Sequence, residues 1–434
     1  MKILIALTIA SAPLATALPT AEPTRGLLFG SMPHPAECNV RHLDTVTGDD
    51  AGDEFGGATA LSENGEYLAV GANGYARVFK WSDGAYMKYQ DIDQGGKQEH
   101  DAVAMNADGT IIVVGHKKDT DSTGKVIVYE RRDDGVYAQH SALEGDSKGD
   151  EFGTSVALSA NGATLVVGAE QGGESVKLDG AAGYARVFTF NDGAEKKWDT
   201  MCTLSGSVQT TGDQFGDVVA ISGDAKVIGV STDQRYVPTG KGYAQLYHGV
   251  GSSDEVCERM GEGIEGKATG EQFGDSMALN FDGSVLTIGA PSADMDRGLV
   301  RVYDVGLVHP HQHLQVGDDI KGMSNMPKGE FAESLALDDS GKVLVVGAKH
   351  GYAMTYHLVD GVEVAGTMID GTAAEEYGDQ VDISGNGHVI AVSAPQQDTG
   401  GAGYVKVYVR EGAGCPAAPT ENDHAVTPIK SIRR

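Results

Sequence analysis

The sequence predicts an all-β fold, a seven-bladed β-propeller made of four-stranded antiparallel blades. The first observation is a phrase that recurs seven times, in which an aromatic residue is followed sixteen positions later by glycine or serine. The second is the glycine turns that punctuate each unit, as in "GDEFGTSVALSANGATLVVGA" from Gly149. The third is composition, because 61 glycines with 6% aromatic residues are typical of a turn-rich β protein.

Six of the seven units keep both ends of the recurring phrase. The pairs are Phe55 and Gly71, Phe152 and Gly168, Phe215 and Ser231, Phe273 and Gly289, Phe331 and Gly347, and Tyr377 and Ser393. In the second unit Glu99 takes the aromatic position before Gly115. The regular repetition indicates one repeat-built body rather than several unrelated domains.

Each unit can be interpreted as four strands. In the third unit "TSVALS" turns at "ANG" into "ATLVVGA", which is the pattern of a β-hairpin. A variable loop then leads to a third strand such as "GYARVF", and an Asp-Gly turn leads to a fourth. A four-stranded sheet alone exposes both faces, so we expect seven sheets to pack around an axis, with the aromatic residues and the Val-Val-Gly-Ala segments between them.

The last unit lacks a fourth strand, and the segment Cys38 to Gly48 is predicted to supply it. This closure would bring Cys38 near Cys415, while Cys202 and Cys257 fall in the predicted fourth strands of adjacent blades. Four cysteines allow three pairings, and the closure favours Cys38 with Cys415.

The chain is predicted to have four regions: a signal peptide (1–17), a Pro-rich linker (18–37), the propeller (38–415) and a flexible tail (416–434). The leader has one lysine, an apolar run and the triplet Ala15-Thr16-Ala17, so we expect cleavage after Ala17 and secretion. A leader followed by Leu18 leaves open import into the plastid of an alga. No other segment has the apolar length of a membrane span.

The formal net charge of −29 argues against nucleic acid as a partner, because phosphate binding needs a basic surface. Strong acidity fits high solubility and attraction for cations. We expect a soluble monomer with a protein or a polysaccharide as its ligand.

The phrases "EFGG", "EFGT", "QFGD" and "EYGD", together with "GAP" at Gly289 and "SAP" at Ser393, resemble the FG-GAP repeats of integrin alpha-chain heads. The resemblance covers Cys38 to about Cys415. It implies a propeller that is extracellular and binds partners through loops on one face.

One feature departs from that family. Its calcium loops lie between the first and second strands, where this chain has only short turns such as "SENG" and "SANG". Calcium needs several carboxylates and a longer loop, so these sites are not expected here. Asp119 with Asp121, and Asp294 with Asp296, lie in other loops and are weaker candidates for a cation such as calcium.

Other motifs for chemistry are sparse. "GEGIEG" at Gly261 has phosphate-loop spelling, but it joins two predicted strands and no helix follows. The stretch "HPHQH" would place His309, His311 and His313 on one side of an extended chain, as a site for copper, nickel or zinc. No catalytic motif was found, so the sequence favours a protein that is not an enzyme.

The face that carries the loops between second and third strands is the expected working face. An acidic residue stands just before the aromatic residue in six units: Asp53, Asp150, Asp213, Glu271, Glu330 and Glu375. Each carboxylate either caps its own turn, or the six form an acidic ring that recruits a divalent cation or basic side chains. Further ligand-binding candidates on this face are Glu170, Asp179, Asp233 and Tyr236.

The leading hypothesis is a secreted or cell-surface adhesion-type propeller that binds a protein or polysaccharide. Two alternatives stay open at this point: a polysaccharide-active enzyme that uses acidic residues at the channel mouth, and a structural component of a cell wall or matrix.

Overall fold

A computed structural model describes residues 38–93, 102–171, 182–206, 212–252, 256–306, 313–324, 329–359, 362–372 and 375–412. Within them, seven four-stranded antiparallel sheets form a closed ring, which confirms the predicted propeller. The first strand of each blade lies nearest the central channel and contacts the first strands of both neighbouring blades. The predicted leader, linker and tail lie outside the described residues.

The strands occupy equivalent positions in the seven blades. The first strands are β2 (Ala58–Leu61), β6 (Ala102–Met105), β10 (Phe152–Leu158), β14 (Val218–Ile221), β18 (Met277–Leu279), β22 (Phe331–Leu337) and β26 (Val381–Ile383). The second strands are β3 (Tyr67–Ala72), β7 (Ile111–His116), β11 (Thr164–Ala169), β15 (Val227–Thr232), β19 (Val285–Ala290), β23 (Val343–Ala348) and β27 (Val389–Ala394).

The outer strands complete each blade. The third strands are β4 (Tyr75–Ser82), β8 (Lys125–Arg131), β12 (Tyr184–Asn191), β16 (Tyr243–His248), β20 (Leu299–Asp304), β24 (Tyr352–Val359) and β28 (Tyr404–Glu411). The fourth strands are β5 (Ala85–Asp93), β9 (Tyr137–Glu144), β13 (Lys197–Leu204), β17 (Ile264–Glu265), β21 (Leu314–Lys321), β25 (Val362–Asp370) and β1 (Asn39–Thr47). Helices α1 (Asp119–Ser122) and α2 (Ala293–Asp296) are short, and no helix in the described part of the chain is long and apolar enough to cross a membrane.

Blade 7 is closed by the N-terminal strand, as the sequence predicts. β1 pairs antiparallel with β28, with Asn39 opposite Glu411 at the outer end of the ladder. Cys38 takes part in a disulfide, and its predicted partner Cys415 lies outside the described residues. A second disulfide joins Cys202 in blade 3 to Cys257 in blade 4, with 6.5 Å between the Cα atoms.

The hydrophobic core consists of seven clusters, one between each pair of adjacent blades. Six aromatic residues that open the units are completely buried: Phe55, Phe152, Phe215, Phe273, Phe331 and Tyr377. Where glycine stands sixteen residues later, it allows the close approach of the next blade, whereas blades 4 and 7 have Ser231 and Ser393 at this position. A Cβ atom on Gly168 would collide with the backbone oxygen of Gly216. The repeat spacing is therefore a packing rule between blades.

The turns between first and second strands form what we call the hairpin end of the channel. There, seven backbone hydrogen bonds of 2.8 to 3.1 Å link each turn to the next and return to the first. In each pair the N–H of the first residue donates to the carbonyl oxygen of the second: Glu63 to Ala107, Ala107 to Ala160, Ala160 to Gly223, Asp224 to Phe281, Phe281 to Asp339, Asp339 to Gly385, and Asn386 to Glu63. This closed series, the hairpin collar, fixes the turns in one ring.

Candidate functional site

The opposite end of the channel, which we call the loop end, carries ionisable side chains from six blades. Four carboxylates stand two residues after a buried aromatic residue, and the others stand at the ends of second strands or just beyond. This mouth cluster consists of Lys117, Glu170, Asp217, Asp233, Arg235, Asp275, Glu333, Lys349 and Asp379.

The centre of the mouth cluster is a group of three carboxylates around one arginine. Asp217, Asp233 and Asp275 each place an oxygen within 4.8 Å of the others. The Arg235 guanidinium donates to Asp233 at 2.5 Å and to Asp275 at 2.8 Å. The amide of Gln272 donates to Asp233 at 3.0 Å. One guanidinium thus provides the positive charge beside three carboxylates that come from two blades.

The protonation equilibria of the cluster reflect this shortage of positive charge. Burial, followed by the nearby carboxylates, raises the pKa of Asp217 and that of Asp275 well above the ordinary range. Burial also raises the pKa of Glu333 to about 7, although Lys349 acts in the opposite direction. Six carboxyl groups share three basic groups, so the cluster carries excess negative charge when all of them are ionised.

A buried amide beside the cluster has an unused acceptor. Gln214 is 4% exposed, and its Nε2 donates to Glu170 at 2.8 Å. Its Oε1 accepts no hydrogen bond from any described residue, whereas the equivalent Gln272 accepts one from Ser292. An unsatisfied buried acceptor costs about 1–3 kcal/mol, and this oxygen is too deeply buried for a ligand to reach it.

The donor set fits an organic cation better than calcium. Calcium takes six to eight oxygen ligands, whereas the central group offers three carboxylates and already holds the Arg235 guanidinium between two of them. Guanidinium and ammonium groups bind carboxylates through directed N–H donors and need no complete oxygen shell. The cluster can therefore hold Lys or Arg side chains of a ligand.

The six acids that precede the aromatic residues lie in the turns that enter the first strands. Tyrosine hydroxyls of the third strands donate to four of them, namely Asp53, Asp150, Asp213 and Glu375. Arg301 donates to Glu271 at 2.7 Å, and Glu330 lies 3.5 Å from His350. These contacts join loops to blades, and a part for these acids in ligand binding stays a prediction.

The other candidates on this face lie in different surroundings. Glu170 and Asp233 belong to the mouth cluster. Tyr236 is 61% exposed and follows Arg235, so its ring is available to a ligand. Asp179 lies outside the described residues.

The metal candidates from the sequence are occupied by protein partners or are not described. Asp119 pairs with Lys125 at 3.1 Å, and Asp121 lies near it in α1. Asp294 pairs with Arg297, and Asp296 is exposed in α2. Both ring nitrogens of His313 face backbone oxygens, at 3.2 and 2.7 Å, so neither is directed to an ion. His309 and His311 lie outside the described residues.

Sequence reasoning missed most of the mouth cluster. The signal was present, because Asp217, Asp275, Glu333 and Asp379 share one repeat position where blades 1 and 3 have Gly57 and Thr154. A column of acids at one position of a repeat indicates a ring of acids in a closed structure. A second repeat position, two residues after the glycine or serine, holds Lys117 and Lys349 in two blades and an acid in two others, whereas Arg235 lies two residues beyond it.

No protein-family model matches the chain, and a search of curated proteins finds no match.

Proposed function

We propose that this protein is a binding module that holds a basic segment of a partner protein at the loop end of the channel. The observation that carries the proposal is the mouth cluster, in which six carboxyl groups share three basic groups. Basic side chains of a partner would supply the missing positive charge.

The architecture around the cluster supports a binding role. The loops at this end differ in length between blades, while the hairpin turns are uniform, and binding residues are concentrated on loops that a rigid scaffold positions. The exposed ring of Tyr236 could cover a bound guanidinium or ammonium through a cation–π contact. The resemblance to FG-GAP propellers points in the same direction, since that family binds partners through one face.

The proposal is tested with a fluorescein-labelled hexa-arginine peptide and fluorescence anisotropy at physiological salt. The double variant D217N/D275N removes two ionisable carboxyl groups at the centre of the cluster. A bound cation would favour their ionised form, so we expect at least a tenfold loss of affinity. The matched control E130Q/D133N removes two charges from exposed positions far from the channel, and it should change affinity less than twofold. Equal losses in both variants would show that only net charge matters, and this would contradict the proposal.

A polysaccharide is the other ligand that the sequence favours. Binding of a neutral or acidic glycan that is retained by D217N/D275N, without binding of the peptide, would replace the proposal. A glycan array that includes amine-bearing sugars distinguishes these outcomes.

A second candidate function, polysaccharide cleavage, is favoured by one observation. The carboxyl group of Glu333 has a pKa raised to about 7 and lies near Asp379, and a proton donor beside an ionised carboxylate is the pairing that glycoside hydrolysis uses. Release of reducing ends from a polysaccharide panel, lost in Glu333→Gln, would support this candidate. Absence of release across the panel would leave binding as the function.

We also propose that the protein works outside the cell. The predicted leader supports this, and so does the disulfide between Cys202 and Cys257, because disulfides persist in oxidising compartments. Expression of a full-length protein with a C-terminal tag locates it, and accumulation in a plastid would support the alternative address.

A further inference from the structure

The hairpin end of the channel contains a cavity of about 170 Å³ that all seven blades line. One aliphatic side chain from each blade forms its floor, from Leu61 in blade 1 to Ile383 in blade 7. Turn backbone and polar side chains surround its opening, so the cavity joins an apolar floor to a polar rim. The cavity is open to solvent and its exposed lining is mainly polar, and its volume is large enough for a group about the size of a benzene ring.

The rim position next to the floor is small in four blades and large in three. Ala107, Ala160, Gly223 and Gly385 occupy it in blades 2, 3, 4 and 7. Glu63, Phe281 and Asp339 occupy it in blades 1, 5 and 6. The collar needs only backbone groups at this position, so the packing of the ring does not require any of the three large side chains.

The glycines of the rim make room for these side chains. A Cβ atom on Gly223 would collide with the ring of Phe281. A Cβ atom on Gly385 would lie 2.6 Å from the Asp339 carboxylate. Phe281 remains 40% exposed, so an aromatic face and a carboxylate border the same opening.

The two rim carboxylates, Glu63 and Asp339, are like charges, and no described basic side chain neutralises them. Burial and then the charges of Glu63 and Asp338 raise the pKa of Asp339 to about 6. Within the described residues no basic side chain pairs with Asp339 or Glu63, and the nearby Arg410 acts on Asp338 instead. Glu63 is exposed and Asp339 is half-buried, and both border the same opening, so an ammonium group between them would reduce their repulsion.

We propose that the hairpin end binds a small organic amine, a primary ammonium joined to an apolar group about the size of a benzene ring. The ammonium has three N–H donors for Glu63 and Asp339 and can lie against the face of Phe281. The apolar group fills the space above the aliphatic floor. A divalent metal ion fits less well, since two carboxylates over aliphatic side chains cannot complete its oxygen shell.

This site is separate from the mouth cluster, and its test does not depend on the proposed function. The probe is 2-phenylethylamine, titrated by isothermal calorimetry at pH 7.5, with the neutral isostere 2-phenylethanol as the matched ligand. We expect the amine to bind at least tenfold more tightly than the alcohol. Because ionisation of Asp339 creates the negative charge, affinity should rise between pH 5 and pH 7 and then level off.

Variants assign the effect to the rim. The double variant E63Q/D339N should lose at least tenfold in amine affinity, whereas E130Q/D133N should retain it. Leu279→Phe, which fills the floor, should weaken the amine without changing the charge of the rim.

Three results would overturn the proposal. The first is equal binding of the amine and the alcohol, and the second is unchanged amine affinity in E63Q/D339N. The third is a protein that does not bind 2-phenylethylamine but binds another ligand tightly at this site, either calcium or a peptide that begins with phenylalanine.

Discussion

The two ends of the channel are held together by different interactions. At the hairpin end the same backbone hydrogen bond occurs seven times and involves no side chain. At the loop end charged side chains form contacts that differ between blades, such as Arg235 with two carboxylates in one place and Lys349 with Asp379 in another. Backbone contacts tolerate changes of side chain, whereas the charged contacts depend on each partner. The loop end is therefore the end where a mutation alters both stability and recognition.

Opening the ring should have the largest effect, because both ends depend on closure. Deletion of residues 38–48 removes β1 and leaves β28 with an unpaired edge. We expect loss of the cooperative unfolding transition in differential scanning calorimetry, since blade 7 can no longer support its neighbours. Deletion of residues 18–37 is the control and should leave the transition in place. An unchanged melting temperature after removal of β1 would contradict the closure.

The second-largest loss of stability is expected from a substitution at the loop end. Arg235→Ala removes the cation that three carboxylates share. Because the Arg235 side chain is 45% exposed while Asp233 is buried, we expect a loss of about 1–3 kcal/mol in the free energy of unfolding at pH 7. Urea denaturation measures this change. Arg132→Ala removes a charge from an exposed turn and should cost less than about 0.5 kcal/mol. Similar values for the two variants would mean that the cluster contributes no more than surface charge.

A substitution that removes one carboxyl group from the mouth cluster tests whether the cluster has too few basic groups. Folding raises the pKa of Glu333 to about 7, so between pH 4.5 and 7 the native protein binds more protons than the unfolded chain. Its contribution to the free energy of unfolding therefore falls as the pH rises through this range. Glu333→Gln should stabilise the protein by up to about 3 kcal/mol at pH 8 and have little effect at pH 4.

Urea denaturation at both pH values checks this prediction. Glu130→Gln, at an exposed position, serves as the control and should show no such pH dependence. A destabilised Glu333→Gln at pH 8 would show that the ionised carboxylate is paired better than the geometry indicates.

The smallest effect is expected near the hairpin end, between blades 7 and 1. The Asp382 carboxylate accepts hydrogen bonds from the backbone N–H groups of Leu61 at 2.6 Å and Ile383 at 2.8 Å, and burial raises its pKa to about 7. An asparagine side chain at position 382 keeps one acceptor oxygen for these N–H groups, whereas an alanine side chain has none. We expect Asp382→Ala to be less stable than Asp382→Asn by about 1 kcal/mol, measured by urea denaturation. Equal stabilities would show that the collar alone holds this junction.

The sequence predicted the blades well because their signals are local. Buried aromatic residues such as Phe152 and close-approach glycines such as Gly168 recur at fixed spacing, and each has one packing role. Cys202 and Cys257 lie in neighbouring blades as predicted, but only Cys202 lies in a fourth strand, because Cys257 is in a turn before β17. β17 is the exception: a full fourth strand was predicted for blade 4, and the structure has two residues there.

The candidate sites were harder to predict because closure of the ring creates them. Asp217 and Asp275 are 58 residues apart in the chain, and only the packing of blades 4 and 5 brings their carboxylates together. The acids before the aromatic residues gave a stronger local pattern, yet Asp53 and its equivalents contact their own turns and third strands. The cavity at the hairpin end has no local signal, since each blade contributes only two or three residues to it.

The pairing of β1 with β28 also sets how the propeller would respond to mechanical force. Asn39 and Glu411 form the last pair of the ladder, so the two strands have these ends side by side. A pull on both ends would peel the ladder one pair at a time, which is the weak direction of a β-sheet, instead of shearing all pairs at once. The predicted bridge from Cys38 to Cys415 stands where peeling would begin, and it would carry the tension through a covalent bond.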